Sequence, residues 1–206
     1  SGKSYLVRLS GRQGNVLFGE VEQVQETDEW AAFQLELGFS LTKREKVELI
    51  LQQGTELGVS AFRPFVSERS LDCNLKLHDA KRERWSAIIR EAAEQSHRTR
   101  LPAIFSPQIF KDVLVGFPQE STRLIAWEVS PPELQLNPAW FSTSEGCNSE
   151  GASLLIGPEG GFSAEEVSLA ESAGFRQFSL GRNVLRMETA CLAACALCAH
   201  YLEISR

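Results

Sequence analysis

The sequence predicts an α/β protein built on a mostly parallel sheet, and three observations carry that prediction. From residue 43 onward, short apolar runs alternate with longer amphipathic stretches, as strands joined by crossover helices do. The apolar run 152–156 stops at Gly157-Pro158-Glu159-Gly160-Gly161, and Ser163 with Glu166 three residues later is a helix-start capping box. A second run, 175–180, ends in the polar loop 181–188 before another helix. Two adjacent loops at the carboxyl edge of such a sheet make one ligand pocket.

The elements follow in order. Residues 4–10 and 15–24 alternate around Gly11–Gly14 and read as a hairpin. Residues 31–37 read as a third strand of the same small β element, and 38–41 as the linker that ends it. The expected division is therefore 1–39 and 40–206. A helix is predicted over 43–57 with Gly58 as its stop, a strand over 59–66, and a polar loop over 67–76. The longest helix, 78–98, carries the stripe Trp85, Ile88, Ile89, Ala92 and Ala93. A brief strand at 103–105, a short helix at 108–116 and a buried strand at 122–129 follow, the last with Glu128 near its end. Residues 130–150 read as a surface loop. Gly174 closes a helix over 164–173, and a final helix runs from 189 to 202.

Composition sets bounds. The chain has 206 residues, 43% hydrophobic and 23% charged, as ordinary globular proteins do. A net charge of −6 gives no overall pull toward nucleic acid, but residues 40–100 hold 12 Lys/Arg against 9 Asp/Glu. No apolar run approaches the ~18 residues that span a bilayer. The chain opens at Ser1 without a methionine, as a fragment or a chain with added residues would. Five cysteines without a framework spacing read as reduced thiols, and hence a cytoplasmic setting.

The loops limit the ligand. Gly157–Gly161 matches neither G-x-G-x-x-G nor the P-loop, and Glu159 would repel a phosphate. Such a loop suits a ligand with hydroxyls or a positive centre. Cys191, Cys195 and Cys198 share one helical face and read as small residues packed on a neighbour, with no metal expected. His97 lies in a polar cluster. The basic face of the 78–98 helix, extended by Glu94, Gln95 and Arg98, reads as a surface for a phosphate backbone.

These pieces resemble a known family. Glu56-Leu-Gly-Val59, Ser67-Glu-Arg-Ser70, Glu91-Ala-Ala-Glu-Gln-Ser96 with Arg98, Ile156-Gly-Pro-Glu-Gly-Gly-Phe-Ser163 and Leu180-Gly-Arg-Asn-Val-Leu-Arg-Met-Glu-Thr-Ala190 occur in the order seen in RsmE-type 16S ribosomal RNA uridine methyltransferases of the SPOUT superfamily. The resemblance implies a SPOUT-type sheet with a C-terminal trefoil knot. It implies a truncated PUA-like β element before that sheet, a homodimer, and methylation of a uridine N3 in small-subunit ribosomal RNA. S-adenosylmethionine would be held by Leu155, Ile156, Gly157, Pro158, Glu159 and Gly160. The second loop would hold it through Leu180, Gly181, Leu185, Met187, Thr189 and Ala190. Arg186 is expected to stabilise the uridine anion and Glu188 to position the base or its proton. Glu94, Gln95 and Arg98 would hold the nucleotide and Arg69 a phosphate. A methyltransferase for another RNA, such as transfer RNA, and a non-catalytic RNA-binding knot protein are the alternatives.

Overall fold

The computed structural model of the chain describes residues 3–26, 34–131, 133–141 and 151–204. The chain begins with a two-stranded antiparallel ribbon, β1 (Lys3–Gln13) and β2 (Val16–Glu26), turning at Gly14 with φ 60°. Its apolar side chains stay in solvent: Tyr5, Val7, Leu9, Val16, Phe18 and Val21 are each at least 41% exposed.

The rest is a seven-stranded parallel sheet. Its strands are β3 (Gln34–Ser40), β4 (Ala61–Val66), β5 (Ala103–Ile104), β6 (Gln108–Ile109), β7 (Thr122–Ala126), β8 (Gly151–Ile156) and β9 (Arg176–Phe178). The order is β5-β4-β3-β8-β7-β9, with β6 also on β4. Pro64 sits in β4 where no ladder proton is asked of it, between the residues that pair with β5 and those that pair with β6.

One expectation is corrected here. The strand expected at 31–37 belongs not to the N-terminal ribbon but to the middle of the sheet: β3 lies between β4 and β8. Residues 31–33 fall outside the described residues. The expected linker, 38–41, is the buried end of that strand and the residue after it. Gly38 is a packing glycine: a Cβ there would meet Leu155 Cδ2 at 2.8 Å and Phe117 Cζ at 2.9 Å. Glu36, on the same face, is buried because Arg63 of β4 meets it at 2.6 Å.

Helices cover both faces. On one lie α1 (Arg44–Glu56), with α2 (Asp79–Gln95) against it, and α5 (Met187–Ile204), which packs on β3, β8 and α1. On the other lie α3 (Phe110–Val115) and α4 (Ala164–Ser172), around Phe65, Phe110, Phe162 and Phe175. A 3-10 turn, Pro138–Phe141, precedes the undescribed residues 142–150. The caps follow the sequence. Ser163 Oγ accepts from Glu166 N, and the Glu166 carboxylate accepts from Ser163 N. Gly58 (φ 93°) and Gly174 (φ 86°) end α1 and α4. α2 ends the same way on a non-glycine: His97 takes φ 57°, while Arg98 N donates to Ala93 O.

By length and composition α5 is apolar enough to cross a membrane, with a mean hydropathy of 1.2, contrary to the expectation from runs alone. Its Cys191, Ala194, Cys195, Cys198 and Leu202 are buried against the sheet, as in the core helix of a globular domain. The three cysteines pack as expected, and burial pushes the Cys195 thiol up to about 12.

The basic face of α2 is largely spoken for. Arg84 pairs with Glu48 of α1, Lys81 lies 3.8 Å from Asp72 and over the Trp85 ring, and Arg82 donates to Ser106. Arg84 and Arg44 hold the Glu48 carboxyl at about 2, below its ordinary 4.5. The depressed value means the pairs stabilise the fold fully above pH 4.5 and lose that contribution as pH falls toward 2. Solvent screening of the exposed arginines keeps the effect small. Urea melts near neutral pH and near pH ~3 should show the wild type losing more stability than Glu48→Gln. Equal losses would remove the pairs from the acid response.

Candidate functional site

The carboxyl ends of β7, β8 and β9 open onto a cleft of about 320 Å³. Residues 157–161 form one wall. Gly161 takes φ 69° and its N–H closes a turn on Pro158 O at 2.9 Å. Residues 179–187 form the other wall and run straight into α5, which starts at Met187, two residues earlier than the sequence predicts.

Most of the expected contacts are brought together. Ile156, Gly157, Pro158 and Glu159 line the cleft from the first loop, and Leu180, Gly181, Leu185, Met187 and Ala190 from the second. Arg186 lines it too and is exposed. Three expected positions do not line it. Leu155 points into the opposite core with Phe162 and Phe175, because alternate residues of a strand face opposite sides. Gly160 lies under Arg69, whose Cβ would be 3.2 Å from a Cβ on that glycine. Thr189 is exposed, turned outward on the first turn of α5.

The acidic groups are arranged differently from the expectation. Glu159 lines the cleft but is committed elsewhere: Thr42 Oγ1 and Lys46 Nζ donate to its Oε1 at 2.7 and 2.8 Å. Glu188 does not line the cleft. Its buried Oε2 lies 3.0 Å from the same Lys46 Nζ, an ion pair without a well-aligned hydrogen bond. One lysine of α1 thus joins the two loops. The hydrogen bond that Lys46 donates to Glu159 raises the lysine's pKa. Burial pushes both carboxyls up, but the hydrogen bonds and the lysine outweigh it, and both are held below their ordinary values. A carboxylate so depressed is a poor proton acceptor near neutral pH.

The residues expected to contact a nucleotide divide. Arg69 is at the site: its guanidinium donates to Gly160 O at 2.9 Å and braces the first loop from outside. The adjacent backbone is fixed as well, since Glu166 Oε1 accepts from Glu68 N at 2.9 Å. Arg98 is corrected to a structural role. Its half-buried guanidinium donates to Thr55 O and Val59 O at 2.8 and 2.7 Å, filling acceptors at the end of α1, and burial lowers its pKa. Glu94 and Gln95 are exposed on the last turn of α2.

Sequence reasoning missed Lys46 and Thr42, which lie more than 110 positions from their partner and carry no local signal. It noted Glu128 as the carboxylate ending a strand and gave it no part, yet Glu128 lines the cleft.

Comparison with known proteins bears on this cleft. Residues 29–199 match the RNA methyltransferase domain family. The ribosomal RNA small subunit methyltransferase E of Bacillus subtilis is 39% identical over 173 residues, covering 81% of this chain and 65% of that protein. The Synechocystis protein of the same name is 38% identical over 162 residues, covering 78% and 51%. This chain therefore spans less than two thirds of the length of either. A crystal structure of ribosomal RNA small subunit methyltransferase E from Neisseria gonorrhoeae, bound to S-adenosyl methionine, superposes with a TM-score of 0.78 at 30% identity, covering 95% of this chain and 78% of that one.

Proposed function

We infer the function from one premise: the chain belongs to the ribosomal RNA small subunit methyltransferase E family of RNA methyltransferases. It transfers a methyl group from S-adenosylmethionine to N3 of a uridine in small-subunit ribosomal RNA. The observation that carries this reading is the single cleft made by two sheet-edge loops, apolar at Ile156, Leu180 and Met187 and carrying the exposed cation Arg186.

The residues present fit that cofactor. An apolar pocket between backbone-rich loops suits a purine, and the absence of a phosphate-binding motif suits a nucleoside without phosphates. The cofactor supplies a methyl group on a positively charged sulfur. The protein's own residues do the rest. Uridine N3–H is a weak acid that gives its proton to solvent before transfer, so the anion must be stabilised, and Arg186 offers a full charge where the base would enter. The depressed Glu188 carboxylate is placed to steady the second loop through Lys46 rather than to take the proton. Arg69, with its stem on Gly160, stands beside the first loop where a phosphate of the RNA could meet it.

Other parts of the reading rest on less. The two loops are proposed to form a trefoil knot, supported by α5 returning from the β9 side of the sheet to pack on β3 and β8. The ribbon of β1 and β2 is proposed as part of a PUA-like RNA-binding element, supported by its exposed apolar side chains, with the methyltransferase domain running from β3 onward. A homodimer with the site beside its interface is supported by Leu197 and Ile204, exposed on α5. Ribosomal RNA as substrate would place the work in the cytoplasm.

The test is methylation of small-subunit particles that lack the modification, with the product mapped by mass spectrometry. A single N3-methylated uridine is the expected result. Methylation of transfer RNA alone would replace the substrate, and binding of RNA without methylation would leave a non-catalytic protein.

Lys46→Met leaves Glu159 and Glu188 facing one another without their cation. S-adenosylmethionine affinity is expected to drop about tenfold by calorimetry, as like charges lose their bridge. Unchanged affinity would mean the lysine does not hold the two loops in register.

A further inference from the structure

Of the two carboxylates that line the cleft, one is left without a partner among the described residues. Trp127 N donates to Phe178 O at 3.2 Å, which carries the pairing of β7 with β9 one residue past the strand. Glu128 is the next residue and projects from the carboxyl edge of the sheet beside the end of β8. Its carboxylate rests on Gly161: a Cβ built there would lie 1.9 Å from Glu128 Oε1 and 2.9 Å from Oε2. Gly161 is therefore constrained twice, by its φ of 69° and by the carboxylate above it.

Glu159, the other carboxylate of the lining, is neutralised by Thr42 and Lys46. Glu128 makes no hydrogen bond or ion pair with any described residue. An ionised carboxylate only accepts, so whatever fills the space before it must donate. The cofactor of the proposed function carries three such candidates: the vicinal hydroxyl pair of its ribose, the amino group of its adenine and the α-ammonium of its methionine. The amino group holds both its protons on one nitrogen, at the edge of a ring that suits the apolar lining. The α-ammonium comes with an α-carboxylate on the same carbon, which Glu128 would repel. The hydroxyl pair is neutral and presents two donors to two free oxygens. An acidic side chain at the carboxyl edge of a parallel sheet accepting from ribose hydroxyls is also the solution reached in dinucleotide-binding folds.

We propose that Glu128 is the ribose anchor of this site, its carboxylate accepting from the two hydroxyls while Gly161 leaves the space for it. The inference rests on the methyltransferase reading above and assigns a residue that its two loops do not contain.

The test is calorimetry on the wild type, Glu128→Gln and Glu128→Ala. The ligands are S-adenosylhomocysteine and 5′-methylthioadenosine, which keeps the ribose and adenine but has no amino-acid end. Glu128→Ala is expected to weaken both ligands alike, by about 10- to 100-fold, the range for hydrogen bonds to a charged group. Glu128→Gln is expected to fall between, since it keeps one acceptor. Removing the 2′-hydroxyl of 5′-methylthioadenosine should then cost affinity in the wild type and little in Glu128→Ala, because each change removes the same bond. A loss confined to S-adenosylhomocysteine would move Glu128 to the amino-acid end and overturn the proposal, as would unchanged affinity for both ligands. Wild-type protein that binds neither ligand would overturn the methyltransferase reading itself. The exposed, unpartnered position of Glu128 predicts unchanged thermal melting for both variants, so an affinity loss would not be a folding loss.

Discussion

Arg186→Ala is expected to slow methyl transfer by about 100- to 1,000-fold, the usual effect of removing a group aimed at developing negative charge. S-adenosylmethionine affinity should stay within about threefold, since the interaction lost would be made in the transition state and not with the cofactor alone. The structure gives the reason for the split. Arg186 is an exposed residue of the second loop, while the apolar lining at Leu180, Met187 and Ala190 stays in place without it. Its charge also acts on Glu188, so the variant loses one of the influences that depress that carboxyl. Arg186→Lys keeps the charge but not the planar fork and should recover part of the rate. Single-turnover methylation and calorimetry, run on the same preparations, separate the two quantities. Normal turnover in the alanine variant would remove Arg186 from the chemistry.

Arg63→Ala should destabilise the fold by about 3–5 kcal/mol, the range for breaking a buried ion pair on one side. Arg63 and Glu36 are 8% and 7% exposed and bonded at 2.6 Å across β4 and β3. The guanidinium also lies over the Phe105 ring at 3.9 Å and faces Phe117 at 5.2 Å. Gly116 makes room for it, since a Cβ there would approach Arg63 Nη1 to 2.8 Å. Loss of the arginine strands the Glu36 carboxylate at the centre of the sheet. Replacing both, as Glu36→Leu with Arg63→Met, should recover most of the loss, because the penalty lies in the orphaned charge more than in the missing attraction. Urea melts of the two single variants and the double would decide it. A single-variant cost below about 1 kcal/mol would mean that water reaches the site.

The same pair explains why part of the fold was hidden in the sequence. β3 reads Gln-Leu-Glu-Leu-Gly-Phe-Ser, an alternation that belongs to a half-exposed strand. Its apolar face, Leu35, Leu37 and Phe39, was legible. Its other face is just as buried, for three separate reasons: Glu36 has Arg63, Gly38 admits Leu155 and Phe117, and Ser40 bonds to Ser70. All three partners are remote in sequence, so no window around residue 37 could show them. The two loops were legible because their signals are local, a strand end, glycines and a capping box within a dozen residues. The charges that tie the loops together were not, since Lys46 looks like any lysine on a helix. Arg98 misled in the opposite way. A cation after a polar run resembles a binding surface, while its actual partners are two carbonyls at the end of another helix.

The central place of β3 also bears on how the chain is assembled. Its neighbour β4 follows within a few dozen residues, but its other neighbour, β8, comes far later, as does Glu159, 117 positions beyond Thr42. During synthesis the middle of the sheet therefore waits with one edge open until most of the protein has left the ribosome. Closing a loop of that length is slow, and an unpaired apolar strand invites association with other chains in the interval. Refolding of this protein should be limited by the docking of β8 onto β3, a step that no local preference of either strand can hasten.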